Sequence, residues 1–233
     1  MRDLSCCRRR LWVLAAAAGW LVLGARFLVA EGVDAWRQPD RIVADMGLKP
    51  GDTVADVGCG KGYYTFRVAA AVGEKGMVFA VDINPSVLKT VRQRAEREHV
   101  THVEIVLSEP TDTKLKGESV GSVLLCNVIH EVPASQRAGL LKSIVAALKP
   151  GGFLFLVDWR KARDVPFELY ADLIPRDDLV KLGTDAGLTL DAEFHYLKYQ
   201  VYFRFRKPDA RPAEGAAGAP APSTLLRAGK ANG

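Results

Sequence analysis

Short apolar runs alternate with amphipathic stretches from residue 39 to residue 206. Pro39-Asp40 opens a short helix carrying Ile42, Val43, Met46 and Leu48 at helical spacing, and Lys49-Pro50-Gly51-Asp52 turns the chain. Thr53–Val57 reads as a first strand and Met77–Val81, ending in Asp82, as a second. Thr65–Val72 is the helix between them. A helix follows over Pro85–Glu98, with Val87, Leu88, Val91 and Ala95 on one face. Val103–Leu107 is a third strand. Val120–Cys126 is a fourth, and its near-continuous apolar run suits a strand covered on both faces. Leu140, Leu141, Ile144, Val145 and Leu148 form a helical stripe that Lys149-Pro150-Gly151-Gly152 stops, before a fifth strand at Phe153–Val157. A last helix spans Asp178–Ala186. Leu190–Lys198 and Val201–Phe205 then read as two strands joined tightly through Tyr199-Gln200, antiparallel because no crossover fits between them. The alternation predicts an α/β, doubly wound sheet in a single domain at 31–207, with an antiparallel edge.

The two ends differ from this middle. Arg8-Arg9-Arg10 precede an uncharged apolar run over 11–25, which Arg26 interrupts. Residues 1–30 therefore read as a signal peptide or a membrane anchor, with membrane association through 11–30 and the domain exported or periplasmic if the segment inserts. A domain that is not inserted would stay cytoplasmic. Residues 208–233 are rich in Ala, Gly and Pro and read as a disordered tail. The net charge of +5 belongs to these ends. Residues 1–30 carry +4 and the tail from Lys207 carries +2, which leaves the middle at −1. That balance argues against a nucleic-acid partner. The four cysteines, Cys6, Cys7, Cys59 and Cys126, form no Cys-x-x-Cys pair, and no disulfide is expected. His99 and His102 straddle a helix end and a loop, read as solvated, and no metal site is expected.

The chemistry concentrates after the first strand, in Asp56-Val57-Gly58-Cys59-Gly60-Lys61-Gly62. A strand, a glycine turn and a helix opening let a ligand touch bare backbone at a helix N-terminus. A dinucleotide site wants a glycine at position 63, where Tyr63 stands. Asp56 would repel a pyrophosphate and attract an ammonium or sulfonium group.

This stretch resembles motif I of the class I S-adenosylmethionine-dependent methyltransferases. Val81-Asp82-Ile83 looks like motif II, Ser108-Glu109-Pro110 stands where many relatives have Gly-Asp, and Leu148-Lys149-Pro150-Gly151-Gly152 looks like the motif before strand 5. The resemblance covers roughly residues 40–205. It implies a Rossmann-like sheet of seven strands in the order 3-2-1-4-5-7-6, with strand 7 antiparallel, and S-adenosyl-L-methionine as cofactor. The cofactor-binding set it implies is Asp56, Gly58, Cys59, Gly60 and Gly62 in the turn, Asp82 for the ribose hydroxyls, Ile83 on the adenine face, Glu109 and Pro110 at the adenine amine, and Asn127 for the ammonium. Asp34-Ala35-Trp36-Arg37-Gln38-Pro39-Asp40 and the hairpin ending are similar to a group of bacterial methyltransferase-domain proteins with exported-looking N-termini.

Such a donor is already activated, so the protein supplies position, and a base matters when the acceptor must lose a proton. His130, just past strand 4, is the candidate base or pocket wall, with Glu131 to orient it. Tyr63 and Tyr64 are expected to cover the cofactor, Asp158-Trp159-Arg160 to line the acceptor site, and 161–175, with Phe167 and Tyr170, to form a lid. The function expected is methyl transfer to a small or lipophilic acceptor. The alternatives are a non-catalytic or membrane-tethered binding module and a nicotinamide (NAD) oxidoreductase.

Overall fold

The computed structural model describes residues 34–160 and 173–210. The leader at 1–30, the lid residues Phe167 and Tyr170, and the tail from 211 lie outside the described residues. Among the described residues no helix is long and apolar enough to cross a membrane.

The elements run α1 (Pro39–Asp45), β1 (Thr53–Val57), α2 (Thr65–Val72), β2 (Met77–Asp82), α3 (Pro85–Arg97), β3 (Val103–Leu107), β4 (Val120–Cys126), α4 (Ala134–Ala147), β5 (Leu148–Trp159), α5 (Arg176–Asp185), β6 (Thr189–Phe194) and β7 (Gln200–Arg206). The seven strands form one sheet in the order β3-β2-β1-β4-β5-β7-β6. The first five pair in parallel, and β7 is antiparallel to both β5 and β6. Val57 lies opposite Val81 on one side and Leu125 on the other, so β1, β2 and β4 end level. The chain leaves β1 toward β2 in one direction and later returns to β4 in the other. That reversal opens a crevice at the carboxyl ends, where open α/β sheets take their ligands.

Both faces of the sheet are covered, and β4 shows how. Leu125 packs with Leu141 and Ile144 of α4, while its neighbour Leu124 packs on the opposite face with Val68 of α2. All five side chains are fully buried. Each contributes on the order of 1.5–3 kcal/mol by leaving water, and cutting Leu124 back to alanine would cost about 2–5 kcal/mol. Asn84 caps α3 by accepting from Ser86 N at 2.9 Å, and Pro85 fills the first helical position, where its missing N–H costs nothing.

Three boundaries differ from the sequence reading. β5 begins at Leu148, five residues early, because Leu148 pairs with Val120 across a register shift. Gly151 takes up the bend at φ 73 and donates to Lys207 O at 3.1 Å. The hairpin is not tight. β6 ends at Phe194, and a five-residue connection leads to β7. That connection is anchored rather than loose, since Leu197 is buried and Tyr196 Oη donates to Asp45 Oδ2 at 2.6 Å. α5 starts at Arg176, and Asp177 and Asp178 in its first turn complement the helix dipole.

Candidate functional site

Gly58 and Gly60 shape the turn after β1. Gly58 has φ 71, and a Cβ there would sit 2.2 Å from Val128 Cγ2. Gly60 has φ 53 with nothing within 4 Å of where a Cβ would be, so its backbone faces open space. The turn is tied to β2. Gly58 N and Cys59 N both donate to Val81 O, and Gly60 N donates to Asp82 Oδ2 at 2.9 Å. Asp82 Oδ1 accepts from Asn84 N at 2.8 Å. Two backbone donors thus hold this carboxylate still, and each oxygen keeps a lone pair for a ligand hydroxyl.

A cleft of about 430 Å³ opens at this rim, lined by Gly58, Gly60, Asp82, Ile83, Glu109, Pro110 and Asn127 among others. Seven residues of the sequence-derived binding set therefore meet around one space. Val128, Val132 and Leu140 complete an apolar wall. Ile83 is 59% exposed and stands on this wall, an apolar side chain without cover. Glu109 carries its carboxylate 2.8 Å from Lys114 Nζ, in an ion pair at the edge of the cleft. Asn127 adopts φ 56, a left-handed conformation that asparagine tolerates. Gln200 Nε2 donates to Asn127 Oδ1 at 2.6 Å, which fixes the amide. Gln200 is the first residue of an antiparallel strand, so it reaches the rim that the parallel strands reach with their last residues.

The other three members of the set do not line the cleft. Cys59 is buried, Gly62 donates to Cys59 O within the turn, and Asp56 is 3% exposed. Asp56 Oδ2 accepts from Thr65 Oγ1 at 2.6 Å. Burial lifts the Asp56 carboxyl from its usual 3.8 to about 6; the Thr65 hydrogen bond works against that and the Asp82 charge adds to it. The carboxylate that was expected to attract a positive ligand group lies beneath the backbone and outside the cleft lining. Burial also pushes up the thiols of Cys59 and of Cys126, the latter to about 12, so both are inert and neither is in a disulfide.

Tyr63 and Tyr64 do not cover the cleft. Tyr63 hydrogen-bonds Asp34 and stacks under Arg67 at 4.5 Å, and Tyr64 is buried edge-on against it. Trp36 meets Trp159 with ring centroids 5.3 Å apart, which makes Trp159 a packing residue. His102 is not solvated, since its Nε2 lies 3.0 Å from Ala69 O. Among the described residues no cluster of metal ligands occurs.

His130 lies beyond β4 and is 8% exposed. Its Nδ1 is 2.6 Å from Asp158 Oδ1, whereas Glu131 Oε1 is 3.8 Å from Nε2. Asp158 therefore orients the ring, in place of the expected Glu131. His130 faces a second cavity of about 830 Å³, formed between the start of α4 and α5. Glu131, Val132 and Pro133 border both spaces. Thr65, Asp158 as an orienting group, and Gln200 are the contributors that sequence reasoning missed. Each acts on a residue 9, 28 or 73 positions away, and local pattern carries no signal of that.

Comparison with known proteins agrees with this fold. Residues 54–152 match the family described as "Methyltransferase domain". A SAM-dependent methyltransferase from Aquifex aeolicus superposes with a TM-score of 0.66 at 25% identity, covering 72% of this chain and 89% of that one. Residues 54–152 are thus a methyltransferase domain, and the sheet around them has the fold of the S-adenosylmethionine-dependent methyltransferases. S-adenosyl-L-methionine is its cofactor. Among curated relatives, arsenite methyltransferase of Halobacterium salinarum is 29% identical over 144 residues, covering 62% of this chain and 36% of that protein. The 2-phytyl-1,4-naphtoquinone methyltransferase of Trichormus variabilis is 29% identical over 175 residues, with 72% and 69% covered. The chain thus spans between about a third and two thirds of the length of these curated relatives.

The cleft fits that cofactor by its donor set. Asp82 offers carboxylate lone pairs for a ribose diol, Ile83, Pro110 and Val128 offer an apolar slot for a purine, and Gly58 and Gly60 offer backbone. A volume of about 430 Å³ lies within the usual range for such sites.

Proposed function

We propose that the protein transfers a methyl group from S-adenosylmethionine to a small, lipophilic acceptor of the quinol type. The donor occupies the cleft between the glycine turn and Asn127, and the acceptor occupies the neighbouring cavity beside His130. The observation that carries this reading is the shared border of Glu131, Val132 and Pro133, which sets the two spaces side by side at the carboxyl rim. Bound S-adenosylmethionine supplies an activated methyl carbon. The chain supplies alignment, which is worth roughly 7–11 kcal/mol for a well-oriented pair. Asp82 holds the ribose, Asn127 receives the ammonium, and Asp56 adds negative charge below the turn. His130 stands on the acceptor side as base or wall. Val132, Pro133, Leu173, Ile174 and Leu182 make part of the acceptor cavity's lining apolar, beside the charged Glu131, Arg137, Asp178, Lys181 and Asp185, and that apolar part suits a ring with a greasy substituent. The naphthoquinone named for the Trichormus relative is an acceptor of that kind.

We read residues 1–30 as a leader or anchor on their sequence alone, and a reporter fused after Phe205 would fix the side of the membrane the domain occupies. The function is tested by calorimetric titration of the full chain with S-adenosylmethionine and, separately, with NAD. Saturable binding of S-adenosylmethionine and none of NAD is the expected result. Binding of NAD alone would overturn the reading.

A further inference from the structure

Three unmatched polar groups gather around the end of β4. Gln200 is 3% exposed and Tyr64 7%. Gln200 gives its amide N–H to Asn127 at 2.6 Å, and its Oε1 stays buried without a hydrogen bond. Tyr64 Oη and Arg37 Nε are buried and unbonded as well. Among the described residues the Arg37 guanidinium forms no ion pair. The carboxylates on this side are taken. Arg67 holds Asp34 and Asp40, and His130 and Trp159 N hold Asp158. Aromatic rings support the Arg37 head instead, with its Cζ 5.0 Å from the Trp36 centroid and 5.4 Å from that of Tyr63.

The three groups share one neighbourhood. The rings of Tyr63 and Tyr64 lie 4.9 Å apart. Trp36 packs on Trp159, and Trp159 pairs with Gln200 across β5 and β7. Burial raises the Tyr64 hydroxyl and the Cys126 thiol, and the Arg37 charge draws both back down. Cys126 is followed by Asn127, the residue that Gln200 holds. Arg37 thus acts on the end of β4 from one side and Gln200 from the other. Buried polar groups left unmatched are destabilising, a charged one most of all, so three in one place call for a ligand that matches them. A guanidinium edge matches a carboxylate, which it can bind through two N–H groups at once. A phosphate would bring more negative charge than one cation answers, in a region where Asp56 and Asp158 already act on Cys126.

We propose that Arg37, Tyr64 and Gln200 form a binding site for a carboxylate that carries a neighbouring hydroxyl or amine. Arg37 offers the N–H fork and Tyr64 a hydroxyl donor. Gln200 Oε1 accepts the O–H or N–H of the ligand. The donor's amino-acid end has the same chemistry, and Asn127 stands between this site and the donor cleft. None of the three residues lines that cleft or the His130 cavity, however, which favours a separate molecule. The inference goes beyond the methyl-transfer reading and stands without it.

The test is calorimetry on the full chain with three related probes. Mandelate carries both the carboxylate and the hydroxyl, phenylacetate lacks the hydroxyl, and mandelamide lacks the charge. The natural protein should bind mandelate about tenfold or more tightly than mandelamide and several-fold more tightly than phenylacetate. Equal affinity for mandelate and mandelamide, or binding of neither, would overturn the proposal without any variant having to fold. In Arg37→Gln the preference for mandelate over mandelamide should disappear. S-adenosylhomocysteine separates the two carriers of a carboxylate. Saturating the natural protein with it should leave mandelate affinity within twofold, and Arg37→Gln should bind it within twofold of the natural protein. Exclusion of mandelate, or a tenfold loss of S-adenosylhomocysteine affinity in the variant, would hand these residues to the donor and overturn the separate site. Failure of the natural protein to bind S-adenosylhomocysteine would sink the cleft assignment and leave the comparison of the three probes standing.

Discussion

Thr65 Oγ1 donates to Asp56 Oδ2 at 2.6 Å, a bond wholly buried beneath the glycine turn. It partly offsets the burial that lifts the Asp56 carboxyl from 3.8 to about 6. Between those values the folded protein keeps a proton that the unfolded chain has released. The contribution of Asp56 is therefore full below pH 3.8 and is lost as pH rises through about 6. The loss is on the order of 3 kcal/mol. Asp56→Asn should match the natural protein in acid and be more stable at neutral pH by about 1–3 kcal/mol. Urea unfolding at both pH values checks this, and a variant less stable at neutral pH would refute the assignment.

In the proposed function the same ionisation governs ligand affinity. A sulfonium and an ammonium are attracted by the ionised form of Asp56 alone. Affinity for S-adenosylmethionine should rise with pH through about 6 and level off above it. In Asp56→Asn the rise should vanish and affinity at neutral pH should fall about tenfold, or about 1.4 kcal/mol. Calorimetric titrations across that range provide the measurement.

Gly58 and Gly60 share a positive φ but not their surroundings. Alanine at Gly58 would drive its Cβ to 2.2 Å from Val128 Cγ2. At Gly60 the Cβ meets nothing. Gly60→Ala should cost about 1–2 kcal/mol of backbone strain and stay folded, while binding S-adenosylmethionine at least tenfold more weakly. Gly58→Ala should cost more than that in stability and melt well below the natural protein. Thermal melts with parallel binding isotherms would reveal an inversion of this order.

Gly183 lies within α5, where alanine would ordinarily help by roughly 1 kcal/mol. Here its Cβ would meet Phe205 Cε1 at 2.6 Å, and Phe205 is fully buried on β7. Gly183→Ala should therefore destabilise, by about 1–3 kcal/mol, with cofactor binding unchanged. A gain in urea midpoint would show that α5 can move off the sheet.

The fold was legible because its cues are local. Short apolar runs, the glycine turn after Val57 and the change to helical spacing at Thr65 each lie within a few residues, and five strands and their helices follow from them. Strand order came through resemblance, since no local cue says that β7 inserts between β5 and β6. The cleft was readable for the same reason that strands were: Asp82, Ile83, Glu109 and Asn127 mark strand ends. What stayed hidden depends on contacts across the sheet. Asp158 was read as lining the acceptor site from its place after β5, but its bond to His130 is invisible until β5 lies beside β4. Gln200 reads as a turn residue, because a strand running the other way presents its beginning to the rim. Tyr63 and Tyr64 look like covers from their place in the loop, but Asp34 and Arg67 draw Tyr63 outward and the core takes Tyr64.

Val132 and Pro133, with Glu131 before them, act as a party wall between two chambers. A guest settling in one chamber presses on the same three residues that shape its neighbour, so the two tenants cannot arrive as strangers. Mixed-ligand calorimetry should find that whichever enters first changes the welcome given to the second.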